Sequence, residues 1–313
     1  MDANDVLDAL ADGNVVSGGE IAERFDVSRN AVWKHVETLR DAGFVVESTG
    51  EGYRLAEDGV PEYGGLAVEY RLRQDGRADY VGNEIEYHDS VVSTNDIAVE
   101  RAREGVEKGY VVLADEQTGG RGRRERVWES PSGGVWTSVV LRPEFAPRDA
   151  SLVTLAASVA VARAVEETGV DATIKWPNDV LVDEKKLCGI LVEMEADAER
   201  ISHAVVGVGL NANAKPDVPD ASPTSLAEHV GEVDRAVLTA NLLAELEDAY
   251  ESGDEILDEW RERSSTLGRD VRVEMPNETV EGVAERIDET GALVLSTGDG
   301  ERVVTAGDCV HLR

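Results

Sequence analysis

The spacing of apolar residues changes twice along this chain, and that change limits the possible folds more than any other feature. The first sixty residues carry helical spacing with one short alternating stretch, the middle mixes both periods, and the last fifty alternate apolar with polar. At the start, Asn4–Ala11 reads as a helix and Gly19–Phe25 as a second, with Ile21, Ala22 and Phe25 on one face. Asp26-Val27 is a short turn, and Ser28 is a good N-cap for a third helix, RNAVWKHVETLRDAG, which Gly43 ends. Its Val32, Val36 and Leu39 face inward and leave Arg29, Asn30, Lys34 and His35 outside. Phe44–Leu55 reads as a β-hairpin around a glycine-rich turn.

Three helices and a hairpin in this order make a winged helix-turn-helix over residues 1–60, the arrangement that lays a helix in the major groove of DNA. Ser28, Arg29, Asn30, Lys34 and His35 are its candidate DNA contacts, since Asn and Arg can make paired hydrogen bonds to adenine and guanine edges. A helical packing module with no DNA role is the alternative reading.

Ala56–Gly65, AEDGVPEYGG, has the Gly, Pro and acid content of a connection. Beyond it, strands at Glu84–His88, Tyr110–Asp115, Gly134–Leu141, Ala172–Lys175, Lys186–Glu195 and Ala204–Leu210 mix with helices at Asn95–Glu104, Ala150–Thr168 and Arg235–Arg263. That pattern predicts an α+β or α/β domain around a sizeable mixed sheet over residues 66–263. Residues 266–313 read as a small β-barrel, with turns at Pro276-Asn277, Thr290-Gly291 and Gly298-Asp299-Gly300.

Lys and Arg number 31 against 64 Asp and Glu, a net charge of −33 spread over the whole length. Such a surface suits a salt-rich cytosol, where at about 1 M salt the Debye length falls to ~3 Å and self-repulsion is screened. An acidic protein of an ordinary cytosol is the alternative. No apolar run reaches membrane-spanning length, and the acidic start MDANDVLDAL lacks the form of a secretion signal. Two cysteines, Cys188 and Cys309, cannot build a disulfide framework, so a reducing cytoplasm is expected. No His/Cys metal spacing is present, and no metal site is expected.

Four stretches carry chemistry. Ser93-Thr94-Asn95 precedes a helix, where an N-cap role is the simplest reading. Gln117 to Trp128, QTGGRGRRERVW, packs Arg121, Arg123, Arg124 and Arg126 among Gly119, Gly120 and Gly122. Glycines let amide N–H groups approach an anion, arginines add forked donors for phosphate, and Trp128 can cover a flat ring. The spacing is not that of a Walker loop; an RNA-binding patch or a solvated loop would also fit it. Lys175-Trp176-Pro177-Asn178-Asp179 leads to Lys185-Lys186-Leu187-Cys188-Gly189-Ile190, and Gly207-Val208-Gly209-Leu210-Asn211 comes last. The chain has six lysines, of which Lys175, Lys185 and Lys186 lie within a dozen residues; a compact ammonium on a flexible stem can follow a moving oxyanion.

GGRGRR, KWPND, KLCGI and GVGLN in this order resemble the bifunctional biotin–protein ligase/biotin operon repressor family, strongly from Tyr87 to about Asn211 and more loosely over nearly the whole chain. The resemblance implies a winged helix-turn-helix, a biotin/lipoate-ligase-like catalytic domain and an SH3-like C-terminal cap. It implies that biotin and ATP, with Mg2+, form biotinyl-5′-adenylate and pyrophosphate, and that biotin passes to a lysine of the carrier domain of a carboxylase. Ser93, Thr94 and Asn95 would then hold the ureido ring with Gln117 beside it. Gly120, Arg121 through its backbone, Gly122 and Lys186 would meet the biotin carboxylate, and Arg123 and Arg124 the phosphates, with Trp128 near the adenine. Lys175, Asn178 and Asp179 would line the nucleotide side, with Lys175 and Asp179 joining Lys186 and Arg123 in catalysis. Gly189, Gly207 and Asn211 would shape the floor, Asn211 toward the nucleotide. Homodimerisation through the central sheet and operator DNA as a partner are implied too. The chain departs from the family pattern at Glu125, where a glycine is expected. A non-catalytic ligand-sensing regulator and a lipoate-type ligase are the competing functions.

Overall fold

A computed structural model describes residues 1–196, 200–216, 222–253 and 255–312, apart from the side chains of Glu125 and Arg148. The N-terminal helices form where caps and apolar spacing agree. Helix α1 (Ala3–Leu10) starts on Asp2 and α2 (Gly18–Arg24) on Ser17, each with a reciprocal capping box, through Asp5 and Glu20. Helix α3 (Arg29–Asp41) starts on Ser28, whose hydroxyl accepts the Ala31 N–H at 3.2 Å, and it buries Val32, Val36 and Leu39. Gly43, at φ +91°, turns the chain into the hairpin β1 (Val46–Ser48) and β2 (Tyr53–Leu55). Tyr53 also pairs with Val16, and Gly52 runs so close to Val16 that no side chain fits there.

The connection predicted at Ala56–Gly65 ends in a helix that the spacing does not reveal, α4 (Gly65–Asp75). It begins on two glycines without a side-chain cap, so the usual start signal is missing. Tertiary contact holds it. Asn4 donates to Glu69 at 2.6 Å, Arg73 donates to Asn4 at 2.7 Å, and the Phe44 and Tyr70 rings meet edge to face at 6.5 Å.

The central sheet has seven strands: β3 (Ile85–Val91), β4 (Val111–Gln117), β5 (Val135–Leu141), β6 (Thr173–Lys175), β7 (Asp179–Val182), β8 (Lys185–Ala196) and β9 (Ile201–Leu210). Their order is β3-β4-β5-β9-β8-β7-β6, with β3 and β4 parallel and every other neighbour antiparallel. The parallel pair needs a crossover, which α5 (Thr94–Glu104) supplies. Alternation along β4 sends Val112 to the α5 side and Val111 and Leu113 to the main core. Helix α6 (Ser151–Glu166) is buried along most of its length and lies in that main core. Strand β7 was not expected from the sequence; Asp183 and Glu184, both at positive φ, turn it directly into β8.

Helix α7 (Ala227–Val230) is one turn. The single helix expected over Arg235–Arg263 is two, α8 (Arg235–Glu251) and α9 (Glu255–Arg263), because Gly253 takes φ +60° and ends the run. Arg235 opens α8 almost fully buried. It donates to Asp115 of β4 at 2.6 Å and lies 4.1 Å from the centre of the Tyr63 ring, in the connection after the winged unit.

The C-terminal strands are β10 (Asp270–Glu274), β11 (Thr279–Ile287), β12 (Leu293–Thr297), β13 (Gly300–Val304) and β14 (Asp308–His311). They form an antiparallel sheet in the order β13-β12-β11-β10-β14, with a bulge in β11 between Ala284 and Arg286. This is the small antiparallel C-terminal β domain that the alternating pattern predicts; among the described residues no ladder joins β13 to β14. No helix among the described residues is long and apolar enough to cross a membrane.

Candidate active site

A cavity of about 780 Å³ opens between the α5 end of the central sheet and the C-terminal sheet. Its lining joins residues from all four chemical stretches: Ser93 to Asn95, Gln117 with Arg121 to Arg123, Lys175 with Asn178, Asp179 and Lys186, and Gly189 with Gly207 and Gly209.

The α5 end is a closed polar cluster. Ser93 is the N-cap of α5, and Thr94 and Asn95 follow it, nearly fully buried. Gln117, at the end of β4, accepts the Thr94 N–H at 2.8 Å and donates from Nε2 to Ser130 at 2.9 Å. Ser138 of β5 lies 2.8 Å from the Thr94 hydroxyl and 2.6 Å from the Asn95 amide oxygen. Gly207 faces Asn95 so closely that a methyl group there would overlap its amide.

The opposite end is cationic. Lys186, the second residue of β8, reaches Asp179 at 2.6 Å, with its ammonium 4.8 Å from the Trp128 ring centre. Trp128 lies over Gly189 and Gly209, which leaves its indole in contact with strand backbone. The indole N–H is buried and has no partner among the described residues. Asn178 donates to the Ile190 carbonyl at 2.8 Å, which fixes the turn before β7.

The glycine/arginine segment bridges the two sheets. Arg121 turns its side chain to Asp96 of α5 and is part of the cavity lining. Arg123 donates to Asn178 at 3.3 Å and to the Gly307 carbonyl at 3.0 Å. Burial lowers the Arg123 pKa from the ordinary guanidinium value, against the pull of Asp308 and Asp179. An anion entering there meets a poorly solvated cation. Arg124 and Arg126 both pair with Asp308 of β14, at 3.0 and 2.6 Å, and Arg124 also donates to the Glu274 carbonyl at 2.6 Å.

Three expected ligand residues, Gly120, Arg124 and Asn211, are not part of the cavity lining. Arg124, at a positive φ of 55°, points to the C-terminal sheet. Asn211 is fully buried behind the wall, where its amide donates to the Thr224 carbonyl at 2.9 Å. Gly120 likewise shapes the backbone from behind, its carbonyl accepting the Trp128 N–H at 2.9 Å. The side chain of Glu125 lies outside the described residues.

Sequence reading did not place Ser130, Ser138, Glu193, Asp308, Cys309 or His311 at the site. The last three come from β14, some 120 residues beyond Lys186, and no local pattern points to them. Burial, together with the positive charges of Lys175 and Arg269 and against Glu184, lowers the His311 pKa to about 4; burial raises that of Cys309 to about 11. Cys188 is fully buried, and burial pushes its thiol up as well. Among the described residues no group of three or more His, Cys, Asp or Glu side chains could hold a metal ion.

In the winged unit, Ser28 serves as the cap, Arg29, Asn30 and Lys34 are exposed on α3, and His35 is half-buried. Trp33, which sequence reading left unassigned, is 48% exposed on the same helix, whereas Trp136, Trp176 and Trp260 are core residues.

The fold and this cavity define a ligase of the type that activates a carboxylate with a nucleotide, here preceded by a helix-turn-helix. Family models match in the same order: an HTH domain at residues 3–54, the biotin/lipoate A/B protein ligase family at 87–211, and the biotin protein ligase C-terminal domain at 266–312. The chain is 37% identical to the bifunctional ligase/repressor BirA of Bacillus subtilis, over 96% of this chain and 95% of that protein. It is 38% identical to the biotin–[acetyl-CoA-carboxylase] ligase of Mycobacterium tuberculosis, over 71% of this chain and 86% of the relative. A biotin protein ligase from Aquifex aeolicus, solved with biotin and ATP, superposes with a TM-score of 0.62 at 27% identity, covering 74% of this chain and 99% of that one. The chain belongs to the biotin–protein ligase family, in its bifunctional ligase/repressor form.

Proposed function

We propose that the chain makes biotinyl-5′-adenylate from biotin and ATP, transfers biotin to a lysine of a carboxylase carrier domain, and represses transcription through its winged unit. The observation that carries this reading is one cavity shared by a neutral polar cluster (Thr94, Asn95, Gln117) and a cationic end (Lys186, Arg123). The cluster suits the ureido ring of biotin. The cationic end suits the meeting of two anions, the biotin carboxylate and the α-phosphate. A carboxylate oxygen bonds to the α-phosphorus, the bond to the bridging oxygen breaks, and pyrophosphate leaves. Lys186, held by Asp179, stabilises the charge that builds on the phosphate oxygens. In the second step the carrier lysine amine attacks the anhydride carbonyl and AMP leaves; its surplus proton passes to solvent. Lys175 and Asn178 line the nucleotide side, and the arginine segment shields the anhydride from water. Asp179, Glu184 and Asp308, which line the cavity, are each paired with a cation. Mg2+ would thus be held by the ATP phosphates rather than by a protein cage.

The winged unit holds thirteen acidic against five basic residues in its first sixty, so few phosphate contacts are available to it. Base contacts from Arg29, Asn30 and Lys34 then carry the affinity, in a homodimer matched to a two-fold operator. We place the protein in the cytoplasm of a salt-adapted cell and its domain limits near residues 60 and 265, on charge and connection pattern. The test of the enzymatic reading is ATP–pyrophosphate exchange with biotin, followed by transfer to a carrier domain, in about 1 M KCl. Lys186→Ala is expected to slow exchange by about 10²–10³. Absence of biotin-dependent exchange in the wild type ends the reading. Footprinting of upstream DNA with biotin and ATP tests the repressor role, and no protection rejects it.

A further inference from the structure

The polar cluster at the α5 end has a fixed direction. Asn95 Nδ2 lies 2.8 Å from a carboxylate oxygen of Glu193 on β8, and a carboxylate accepts hydrogen bonds without donating. The Asn95 amide is thereby locked with its NH2 toward Glu193 and its oxygen toward Ser138, 2.6 Å away. An amide oxygen only accepts, so the one hydroxyl proton of Ser138 goes to Asn95. With that proton committed, Ser138 has only lone pairs for the Thr94 oxygen 2.8 Å away, so a hydrogen bond between the two hydroxyls has to use the Thr94 proton. Gln117 Oε1 accepts the Thr94 N–H at 2.8 Å and, 3.1 Å from the Thr94 hydroxyl, is a second and longer acceptor for the same hydroxyl proton, so by either route that proton points away from the cavity. The Thr94 oxygen is left with lone pairs for whatever enters the cavity.

We propose that Glu193 and Ser138 are positioning residues that set this direction, so that Thr94 acts as an acceptor and selects a ligand ring carrying an N–H. This rests on the placement of the ureido ring at the α5 end. Asn95, Ser138 and Thr94 are buried and each is hydrogen-bonded to two partners, so reversing one of these links disturbs the next. Neither Glu193 nor Ser138 lines the cavity; both act through Asn95 and Thr94. Without Ser138 the Thr94 hydroxyl keeps only the longer contact to Gln117 Oε1, and its proton can turn into the cavity more readily. With glutamine at 193 the Asn95 amide can reverse.

The experiment measures ATP–pyrophosphate exchange by the full chain in about 1 M KCl with biotin and with a biotin methylated on a ureido nitrogen. The wild type is expected to prefer biotin. In Ser138→Ala and Glu193→Gln the preference should fall by about tenfold, through a rise in KM for biotin with kcat near the wild-type value. Glu193→Gln keeps shape and half-burial, so it tests the idea even if Ser138→Ala fails to fold. A preference unchanged in Glu193→Gln, or a loss that falls on kcat with KM untouched, overturns the inference. If the wild type shows no biotin-dependent exchange, the reading of the site itself fails; if it accepts both compounds equally, the acceptor role of Thr94 fails alone.

Discussion

Gly207 shows how tightly single residues constrain the site. A methyl group there has nowhere to go, because the Asn95 amide already occupies that space and is tied to Ser138 and Glu193. Strand β9 itself accepts alanine, since Gly207 has no positive φ. Gly207→Ala is therefore expected to weaken biotin binding by about tenfold or more while leaving the fold intact, read by titration calorimetry beside a melting curve. His311 acts through charge. Burial depresses its folded-state pKa to about 4 from an ordinary 6.5, so between these values the unfolded chain binds a proton that the folded chain refuses. Its contribution to stability is complete above pH 6.5 and is lost as the pH falls toward 4. Glu86, drawn down to about 2 by Arg101, loses its share only at lower pH, from the ordinary 4.5 downward. His311→Gln should flatten the melting temperature between pH 6.5 and 4 and leave the steeper loss below that window. An unchanged slope there removes His311 as its source.

At the scale of elements, the arginine segment and the β14 turn form one latch. Arg124 and Arg126 share Asp308, and Arg123 takes the neighbouring Gly307 carbonyl, so the segment is held over the cavity by the C-terminal sheet. Asp308→Ala is expected to raise the loss of adenylate to water several-fold, seen as pyrophosphate released without carrier, with little change in the melting temperature. Equal release from wild type and variant would leave the latch without a protective role. This contact also marks what the sequence could disclose. Helix α3, with its cap at Ser28 and its stop at Gly43, was legible because both signals are local. Helix α4 was not: it starts on Gly64-Gly65 and is stabilised by residues distant in sequence, Asn4 and Phe44. Lys186 and Gly207 were legible from motif order, whereas Ser138, Glu193 and Asp308 join the site only through sheet pairing and docking of the C-terminal strands.

For the whole molecule, the charge of −33 sets the response to salt. The ion pairs are mostly at the surface, where each contributes about 0–1 kcal/mol, and salt weakens them only modestly. Repulsion among the unpaired carboxylates is the larger effect and is screened by the same salt. Raising KCl from about 0.2 to 2 M should raise the melting temperature by several degrees or more. A fall over that range would show that the pairs outweigh the repulsion. Arg235 adds a link of another kind. It clasps Tyr63, in the tether after the winged unit, to Asp115, two residues before Gln117 in the ligand cavity. A genetic selection for lost repression should therefore return lesions at Arg235, far from the α3 helix, and those same alleles should grow poorly without added vitamin, the two phenotypes inherited as one.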